Sequence, residues 1–490
     1  MDASVPAANG HHEAAMGKLS LENGHATVAF SELKERLSPK ARVVVEGEEG
    51  FDQARQIWNR AIDRRPRLVV SVTSGQDIAE SIKSAQECGL KVSIKGGGHS
   101  WCGTSMRDGA LALDLGGLKG LKVDATSKTA WVDAGVCSQE LHDAIIPLGL
   151  AFPFPHCPCV PVSGFTVAGG LGMNARAWGF GVVNVLAAEV VLADGSIIQA
   201  SPEENDEIFW ALRGAGAGSF FVVTKFKFRL FDDCAIVSCS TLYPIDKTAE
   251  VGEHWLSAMQ AGPPNVEQRM VFMTGEEGIP LVEMYCTAYA DTEAAARALL
   301  EPYLSCQVAP HKAPHVYKDT WQNMYDVMIA ELPDEHHFAV DNAVVSWDSV
   351  TDLLGPLAEL YRQTPNPKNM IITAGIGYAG APIDAAFKTP PYRSSYVGFY
   401  SLWKPNDERY VFPGAPTSAL EGASMAEANQ AWVSKGTALV KDVKIGHSLT
   451  EVDLRAKGKA EACYTKANWR MLQDLQKKYD PNELFFRYYL

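Results

Sequence analysis

KGGGHSWCG (residues 95–103) sets three glycines and a histidine directly after KVSI (91–94), a run typical of a β-strand. Glycines at the end of a strand let backbone N–H groups approach an anionic ligand such as a pyrophosphate, because no side chains intervene. His99 follows them, and an imidazole is nucleophilic only in its neutral form, near pH 7 or above. The segment favours a ligand-binding loop, although an ordinary loop histidine is the simpler interpretation of His99 on this segment alone.

A second glycine-rich segment, FPHCPCVPVSGFTVAGGLG (154–172), carries Cys157 and Cys159 with a proline between them. A metal site would require further ligands at suitable spacing, and none is evident nearby, so no metal is predicted. A redox-active pair and two buried structural thiols both remain open. The ten cysteines of the chain lack the dense spacing of a disulfide framework, which favours mostly buried thiols in a reducing compartment.

The residues around these segments alternate between strand and helix patterns. RLVVSV (67–72) reads as a strand, and SGQDIAESIKSAQECG (74–89) reads as a helix with Ser74 as its N-cap. A later helix is predicted over SPEENDEIFWALRG (201–214), with a capping box that starts at Ser201. Alternation of this kind, with a glycine loop at the end of one strand, predicts an α+β domain.

GAGAG (214–218) is similar to the phosphate loop of a Rossmann fold in composition only. A Rossmann loop follows a strand and opens a helix, whereas here a predicted helix ends at Gly214 and a strand begins near Ser219. The pattern therefore disfavours a Rossmann-type nicotinamide-dependent dehydrogenase. Its glycines still permit close approach of a ligand to the backbone, so a different dinucleotide-binding fold remains open.

Length and composition are those of a multidomain globular protein. The 490 residues are 47% hydrophobic and 21% charged, enough for two or three domains with cores of their own. The formal net charge of −14 comes without a Lys/Arg-rich run, so we expect no nucleic-acid partner. Residues 1–25 are small and polar, lack the apolar region of a secretory signal, and are expected to be disordered. No run approaches the ~18 apolar residues of a spanning helix, so we expect a cytoplasmic protein with no membrane partner.

The order and spacing of these segments resemble one known family, the berberine bridge enzyme-like FAD-linked oxidases of the vanillyl-alcohol-oxidase superfamily. The resemblance is dense over residues 59–232 and again over 462–485, and it is weak in between. Because several separate segments agree in order, the match is specific. The segments that carry it are Asn59, RLVVSV, DIAESIKSA, KGGGHSW, HCPCVPVSGFTVAGGLG, WGFGVVNVLAAEVVLADG, NDEIFWALRGAGAGSFFVVTKF and YDPNELF.

The resemblance implies an α+β fold with two parts. One is a PCMH-type FAD-binding domain of two subdomains, and the other is a substrate-binding domain whose large antiparallel sheet is flanked by helices. FAD is the implied cofactor, and a monomer or homodimer is expected. The expected division is a disordered tail (1–25), the FAD-binding domain (26–233), the substrate-binding domain (234–455) and a C-terminal segment that returns to the FAD-binding domain (456–490).

The resemblance also implies covalent attachment of the flavin. His99 falls on the histidine that bonds the 8α-methyl group of the flavin in this family, and Cys157 falls on the cysteine that bonds C6. Pro161 stands where glycine is usual, and a proline fixes φ, so attachment through His99 alone remains open. Val160 resembles the small residue of members in which O₂ reaches the flavin. The other implied cofactor contacts are Lys95, Gly96, Gly97, Gly98, Ser100, Ser163, Gly164, Gly169, Gly170, Gly172 and Val223.

No clear motif marks the group that would accept the substrate proton. Members of the family often carry Glu, Asp or Tyr on the strand before a loop that corresponds to PPYR (390–393), and here Tyr378 and Asp384 are the local candidates. Tyr464 resembles a tyrosine that lies beside the flavin in sugar-oxidising members. A tyrosine with an ordinary pKa of about 10 needs a cationic neighbour or the flavin itself to act as a base near pH 7.

The activity implied by the resemblance is a two-electron oxidation. A substrate C–H bond next to oxygen, nitrogen or an activated ring gives up a hydride to the flavin, and O₂ reoxidises the flavin with formation of H₂O₂. We expect a natural-product-type small molecule as the substrate, with Tyr400 and Trp403 as candidate contacts on one predicted strand. A flavin dehydrogenase or a sugar oxidase of the same family remains an alternative, as does a redox-neutral cyclase that uses FAD structurally.

Overall fold

Helices and strands alternate through the N-terminal half and give way to long antiparallel strands in the second half. The computed structural model describes residues 30, 32–408 and 423–488, and the predicted tail over 1–25 lies outside them. The strands in chain order are β1 (Arg42–Val45), β2 (Leu68–Ser71), β3 (Val92–Lys95), β4 (Leu111–Asp114), β5 (Leu121–Asp124), β6 (Thr129–Asp133), β7 (Leu150–Ala151), β8 (Val185–Leu192), β9 (Ile197–Ala200), β10 (Phe221–Arg229), β11 (Phe231–Asp232), β12 (Ala235–Pro244), β13 (Val266–Thr274), β14 (Pro280–Ala290), β15 (Lys312–Asp319), β16 (His337–Ser346), β17 (Met370–Gly375), β18 (Ser394–Trp403) and β19 (Lys444–Gly446). The α-helices are Phe51–Ala54, Gly75–Glu87, Ser138–Ile145, Val162–Val167, Ala175–Trp178, Asp206–Leu212, Thr248–Ala261, Glu293–Leu304, Trp321–Glu331, Trp347–Arg362, Met425–Leu439 and Lys466–Tyr479.

The first sheet has four strands in the order β1-β2-β4-β3. Strands β2, β4 and β3 are parallel, and β1 is antiparallel to β2. Their short Val- and Leu-rich sequences suit strands that are buried on both faces. The helix Gly75–Glu87 packs on this sheet through Ile78 and Ile82. The predicted N-cap is confirmed, because Oγ of Ser74 accepts a hydrogen bond from the backbone N–H of Asp77 at 3.1 Å.

The second sheet has five antiparallel strands in the order β5-β6-β10-β8-β9. The helix predicted over 201–214 is shorter here, because it spans only Asp206–Leu212. Ser201 does accept a hydrogen bond from the backbone N–H of Glu204, at 3.2 Å. Asn205 then adopts a left-handed φ of +52°, which separates this turn from the helix. The capping pattern at Ser201 therefore marks a turn, and the predicted helix start is wrong by five residues.

The third sheet has eight antiparallel strands in the order β15-β12-β14-β13-β17-β18-β16-β19. Side chains on a strand alternate between the two faces of its sheet. On β18, Val397, Phe399 and Trp403 join a core with the flanking helices, whereas Tyr396 and Tyr400 lie on the opposite face. Trp403 was predicted to contact the substrate together with Tyr400. The structure corrects this assignment, because residues three apart on a strand lie on opposite faces.

The chain returns to the N-terminal half at its end. The helix Lys466–Tyr479 packs against the helix Asp206–Leu212, and Phe485 forms a parallel bridge with Val92 of β3. The second sheet ends with β10, the short strand β11 pairs with β7, and the third sheet begins with β12, near the expected end of the FAD-binding domain. The predicted α+β class, with a large antiparallel sheet flanked by helices, is confirmed; the individual domain bounds stay predictions.

Candidate active site

A cleft of about 390 Å³ lies between the two glycine-rich segments and the face of the third sheet that carries Tyr396 and Tyr400. We call this face the cleft face of the sheet. Buried Asn59 joins the two sides, because its Nδ2 donates to the backbone oxygen of Trp101 at 2.6 Å and to that of Phe338 at 2.9 Å. Its Oδ1 accepts from the backbone N–H of Phe338 at 2.9 Å. One amide side chain thus fixes the glycine segment against the sheet.

The first glycine segment packs so closely on the second that its residues have no space for side chains. A Cβ on Gly96 would lie 2.6 Å from Oγ of Ser163, and a Cβ on Gly97 would lie 2.4 Å from Cδ of Pro161. Gly98 has a φ of +76°, a conformation that favours glycine. Within the described residues, no acceptor bonds the backbone N–H of Gly96, Gly97 or Gly98. Three donors are therefore left for an anionic group of a ligand.

Several buried polar atoms on the cleft wall also lack a hydrogen-bond partner within the described part of the chain. They include Ser93 Oγ, Ser105 Oγ, Ser163 Oγ, Asn174 Oδ1 and Gln268 Nε2. A buried polar group that stays unpaired costs about 1–3 kcal/mol, so such groups usually have a partner. A ligand with phosphate, sugar hydroxyl and ring carbonyl groups would supply partners here. The residues that line the cleft therefore fit FAD.

His99 and Cys157 both line this cleft. The imidazole of His99 lies against the indole of Trp58, with ring centroids 4.7 Å apart. Burial lowers the pKa of His99 to about 4, so its ring is neutral and nucleophilic at pH 7. Burial also raises the pKa of the Cys157 thiol, which therefore holds its proton at that pH. The imidazole is ready to attack an electrophile, whereas the thiol must lose a proton first.

Most of the other predicted cofactor contacts also line the cleft. They are Gly96, Gly97, Gly98, Ser100, Val160, Ser163, Gly164, Gly172 and Val223. Three are placed elsewhere. Nζ of Lys95 forms an ion pair with Asp114 at 3.1 Å, and Gly169 and Gly170 have φ of +112° and +78°. A Cβ on Gly169 would lie 2.4 Å from the ring of Phe387. These three residues lie outside the cleft lining, and their assignment as cofactor contacts stays a prediction.

The three predicted proton acceptors lie outside the cleft lining. Tyr464 is buried behind it, where its hydroxyl donates to the backbone oxygen of Gly214 at 2.8 Å. Asp384 is exposed, and its Oδ1 accepts from Nε1 of Trp210 at 3.0 Å. Tyr378 lies on the loop that follows β17. Tyr464 and Asp384 thus have other hydrogen-bond partners, and the assignment of Tyr464, Tyr378 and Asp384 as proton acceptors stays a prediction.

Two tyrosines and a glutamate meet on the cleft face instead. The hydroxyls of Tyr396 and Tyr400 both donate to Oε2 of Glu451, and they lie 2.8 Å from each other. Gly398 stands between them on the same face, where a Cβ would lie 2.4 Å from the ring of Tyr396. Burial, followed by the charge of Glu451, raises the pKa of both tyrosines, which are therefore neutral donors at pH 7. No described residue donates to Oε1 of Glu451, so this oxygen is available to a ligand.

Glu451 is held in place by contacts that are distant in sequence. Its loop follows β19, and the side chain of Asn342 on β16 bonds the backbone of Ser448 on that loop at 2.9 and 2.7 Å. Lys459, further along, forms an ion pair with Asp341. Sequence reasoning missed Glu451 because no local pattern places this loop at the cleft. The spacing of Tyr396, Gly398 and Tyr400 on one strand was the available signal.

The two other carboxylates of this wall are paired with cations. Nε2 of His156 lies 2.7 Å from Oε1 of Glu267, and Arg269 donates to both carboxylate oxygens of Glu331 at 3.0 and 3.3 Å. Although burial opposes it, the charge of Glu267 raises the pKa of His156, which favours the protonated imidazole beside the carboxylate. Glu451 differs from Glu267 and Glu331 because its partners are neutral hydroxyls.

The glycine loop provides a test of the cleft as a cofactor site. Gly97→Ala is expected to push this loop off Pro161, to lower the free energy of unfolding by about 1–3 kcal/mol, and to reduce the amount of flavin that copurifies. The measurements are thermal unfolding and the ratio of visible to ultraviolet absorption. Gly355→Ala is the matched control, because that helical position is exposed with nothing within 4 Å of an added Cβ. Normal flavin content in Gly97→Ala would contradict the role given to this loop.

Within the described residues, no group of three or more His, Cys, Asp or Glu is arranged to hold a metal ion. None of the described helices has both the length and the apolar character that a membrane span requires.

Comparison with known proteins agrees with this geometry. Residues 66–201 match the FAD binding domain family. (R)-6-hydroxynicotine oxidase of Paenarthrobacter nicotinovorans is 34% identical over 202 residues, which are 41% of this chain and 44% of that protein. Xylooligosaccharide oxidase of Thermothelomyces thermophilus is 25% identical over 457 residues, 88% of each chain. The solved structure of Physcomitrella patens BBE-like 1 shares the fold, with a TM-score of 0.76 at 18% identity over 94% of this chain and 98% of that one.

The strongest of these sequence matches are partial. For (R)-6-hydroxynicotine oxidase and two Aspergillus FAD-linked oxidoreductases, the aligned part is 44%, 24% and 37% of the relative's own length. The family match ends at residue 201 and so does not include the sheet that carries Tyr396 and Tyr400.

Proposed function

We propose that the chain, whose sequence and fold are similar to those of the berberine bridge enzyme-like proteins of the vanillyl-alcohol-oxidase superfamily, is an FAD-dependent oxidase of a small organic molecule. The observation that carries the proposal is one cleft with two kinds of wall. One wall offers unpaired backbone donors and a neutral histidine to a cofactor, and the facing wall offers the carboxylate of Glu451 to a substrate. A substrate held between them would meet a hydride acceptor on one side and a proton acceptor on the other.

FAD bound in this cleft would supply a two-electron acceptor that takes a hydride from a C–H bond next to oxygen or nitrogen. The N–H groups of Gly96, Gly97 and Gly98 would hold its pyrophosphate, and Oγ of Ser163 would donate a further hydrogen bond. Apolar side chains on the substrate side, among them Trp101 and Ile372, would keep bulk water away from the reacting atoms.

Glu451 would take the proton that the substrate loses from oxygen or nitrogen. Its carboxylate is fixed by the hydroxyls of Tyr396 and Tyr400, which leave Oε1 free to accept. A proton acceptor that is already oriented contributes about 10²- to 10⁴-fold to such a reaction. The neutral tyrosines position the carboxylate, and Gly398 allows them to converge on it.

We propose that His99 attaches the flavin covalently and that Cys157 provides a second bond. The low pKa of His99 supports the first bond, because the imidazole needs no deprotonation before it attacks. The buried thiol of Cys157 lies in the same cleft, but its raised pKa makes the second bond the slower one to form. Two covalent bonds would hold the cofactor while the cleft stays open to a bulky substrate.

Oxygen is the proposed final electron acceptor, and H₂O₂ the product of its reduction. The small side chain of Val160 supports this, because it lines the cleft next to the Cys157 loop and leaves space for O₂. The test is to reduce the bound flavin chemically without oxygen and then to mix it with aerated buffer. Return of the visible absorption within seconds, with H₂O₂ formed in equal amount, is the expected result.

A reduced flavin that persists for many minutes in air would contradict the oxidase and favour the dehydrogenase alternative. Substrate conversion with no bleaching of the flavin under anaerobic conditions would instead favour the redox-neutral cyclase. Bleaching by simple oligosaccharides would favour a sugar oxidase.

A further inference from the structure

His156 lies where the two walls of the cleft meet. It belongs to the second glycine-rich segment, directly before Cys157, and its ring reaches β13 of the facing sheet, where Nε2 lies 2.7 Å from Oε1 of Glu267. Val266 on β13 joins the core on the helix side, so Glu267, the next residue, projects from the cleft face. The pair therefore connects the segment proposed to hold the flavin with the sheet proposed to hold the substrate.

The carboxylate of Glu267 is fixed by hydrogen bonds to both of its oxygens. Oε1 pairs with His156, and Oε2 accepts from the backbone N–H of Asn174 at 3.1 Å and from the hydroxyl of Tyr289 at 3.3 Å. Although burial opposes it, the charge of His156 lowers the pKa of Glu267, so the carboxylate is ionised at neutral pH. Glu267 is thus a positioning residue that orients the imidazole and favours its protonated form.

The second ring nitrogen of His156 is open to the cleft. Within the described residues, Nδ1 has no hydrogen-bond partner, and 30% of the side chain is exposed where it lines the cleft. A protonated imidazole carries N–H on both nitrogens, so Nδ1 offers a donor with a positive charge. His99, the other histidine of the cleft lining, is neutral at pH 7 because burial lowers its pKa to about 4.

The titratable groups near His156 come from four neighbouring elements. They are Glu267 and Arg269 of β13, Tyr289 of β14, Glu331 of the helix Trp321–Glu331 and Glu451 of the loop after β19. Burial disfavours a charge on His156, and Arg269 adds to this effect. The charges of Glu267 and Glu451 favour it, and the pKa of His156 is raised as a result.

The turn after His156 also carries the residue proposed to leave space for O₂. The backbone N–H of Val160 donates to the backbone oxygen of Cys157 at 3.3 Å, so one turn joins these two residues to His156. Val160 and His156 both line the cleft. Reduction of O₂ builds up negative charge on oxygen, and a fixed cationic donor stabilises such a charge. His156 supplies a donor of this kind on the same turn.

We propose that the protonated imidazole of His156 donates a hydrogen bond, and then a proton, from Nδ1 to O₂ as O₂ is reduced in the cleft. This inference rests on the proposed oxidase function and names the residue that promotes its oxygen half-reaction. O₂ takes two electrons and one proton from the anionic reduced flavin and a second proton from Nδ1, so H₂O₂ leaves and a neutral imidazole remains. The proton that Glu451 takes from the substrate equals the one that His156 gives up, so protons balance over the full cycle.

The test is the rate at which O₂ reoxidises the chemically reduced flavin of the loaded protein at pH 6. His156→Gln can still donate to Glu267 but has no charge. It is expected to slow reoxidation about 10²- to 10³-fold, the usual cost of removing a fixed donor from a developing negative charge. His156→Lys retains a cation and is expected to recover part of the rate. His142→Gln is the matched control, because that imidazole also pairs with a carboxylate, Asp143, but lies outside the cleft lining.

Two further measurements respond to the charge of His156. In the unaltered protein, the reoxidation rate is expected to fall as the pH rises through the pKa of His156, which lies above its ordinary value of 6.5 although burial opposes the shift. Glu267→Gln is expected to move this inflection to lower pH, and His156→Lys to remove it below pH 9. The midpoint potential of the flavin, measured without oxygen or substrate, is expected to drop in His156→Gln and to recover in His156→Lys, since a nearby cation stabilises the anionic reduced flavin.

The outcomes separate this inference from the proposed function. Rapid reoxidation in His156→Gln contradicts the inference and leaves the oxidase standing, and so does a slow variant whose potential and pH profile are unchanged. An unaltered protein that stays reduced for many minutes in air contradicts the oxidase and, with it, the role of His156. Should His156→Gln fail to bind flavin, the pH profile of the unaltered protein decides, because a rate that is flat or rises between pH 6 and pH 9 overturns the inference.

Discussion

Glu451→Gln is expected to slow reduction of the flavin by substrate about 10²- to 10⁴-fold, the usual contribution of a positioned proton acceptor. Glutamine keeps the size of the side chain, and its amide oxygen can still accept from Tyr396 and Tyr400. It cannot take up a proton at neutral pH, so the substrate N–H or O–H bond would have to break without help. Among the described residues Glu451 makes no hydrogen bond to either glycine-rich segment, and the amount of bound flavin is therefore expected to stay unchanged.

The measurement is the rate at which the visible flavin absorption disappears after anaerobic mixing with a compound that bleaches the flavin of the unaltered protein. Glu461→Gln serves as the control, since it makes the same chemical change at an exposed site. Tyr396→Phe is expected to cause a smaller loss, because one hydroxyl still orients the carboxylate. An unchanged rate in Glu451→Gln, with flavin content and folding intact, would show that another group accepts the proton.

Loss of the covalent flavin is the second large effect, and it is expected in variants of His99 and Cys157. The double variant His99→Ala, Cys157→Ala is expected to yield a colourless pellet after acid precipitation, because nothing then ties the flavin to the denatured chain. His99→Ala alone is expected to lose most of the colour, since the raised pKa of Cys157 makes its bond the slower one to form. Cys157→Ala alone is expected to keep its colour through His99.

The control for these variants is Cys159→Ala. Cys159 is exposed and two residues from Cys157, so the pellet is expected to stay yellow. A yellow pellet from the double variant would mean that a different side chain carries the flavin.

A second consequence concerns the redox potential, because a covalent substituent that withdraws electrons makes the flavin a stronger oxidant. The potential of His99→Ala is therefore expected to be lower than that of the unaltered protein.

The sequence predicted the fold and the cofactor wall where local patterns coincide with the final structure. Ser74 caps its helix as expected, because the cap and the helix depend on residues close together in the chain. At Ser201 the same kind of pattern misled, since the left-handed Asn205 ends the turn before the helix starts. The glycines of residues 95–103 indicated a ligand-binding loop at His99, and His99 does line the cleft. This could be predicted because residues without side chains allow the two segments to pack closely.

The substrate wall was harder to predict, since it depends on contacts between distant parts of the chain. Tyr400 was identified but Trp403 was assigned to the same side, although the alternation along a strand separates them. Strict use of that alternation would have placed Tyr396, and not Trp403, on the same face of the sheet as Tyr400. The loop of Glu451 is held at the cleft by hydrogen bonds from Asn342 on a strand that is distant in sequence. The sequence around Glu451 contains no pattern that predicts this contact.

Peptide mapping of the purified protein by mass spectrometry tests the central claim, that this cleft is an FAD site, most directly. The account predicts that the peptide with His99 carries the mass of FAD and that part of the material is also joined to the peptide with Cys157. Recovery of both peptides without any added mass, from a protein that releases no flavin on denaturation, would contradict it.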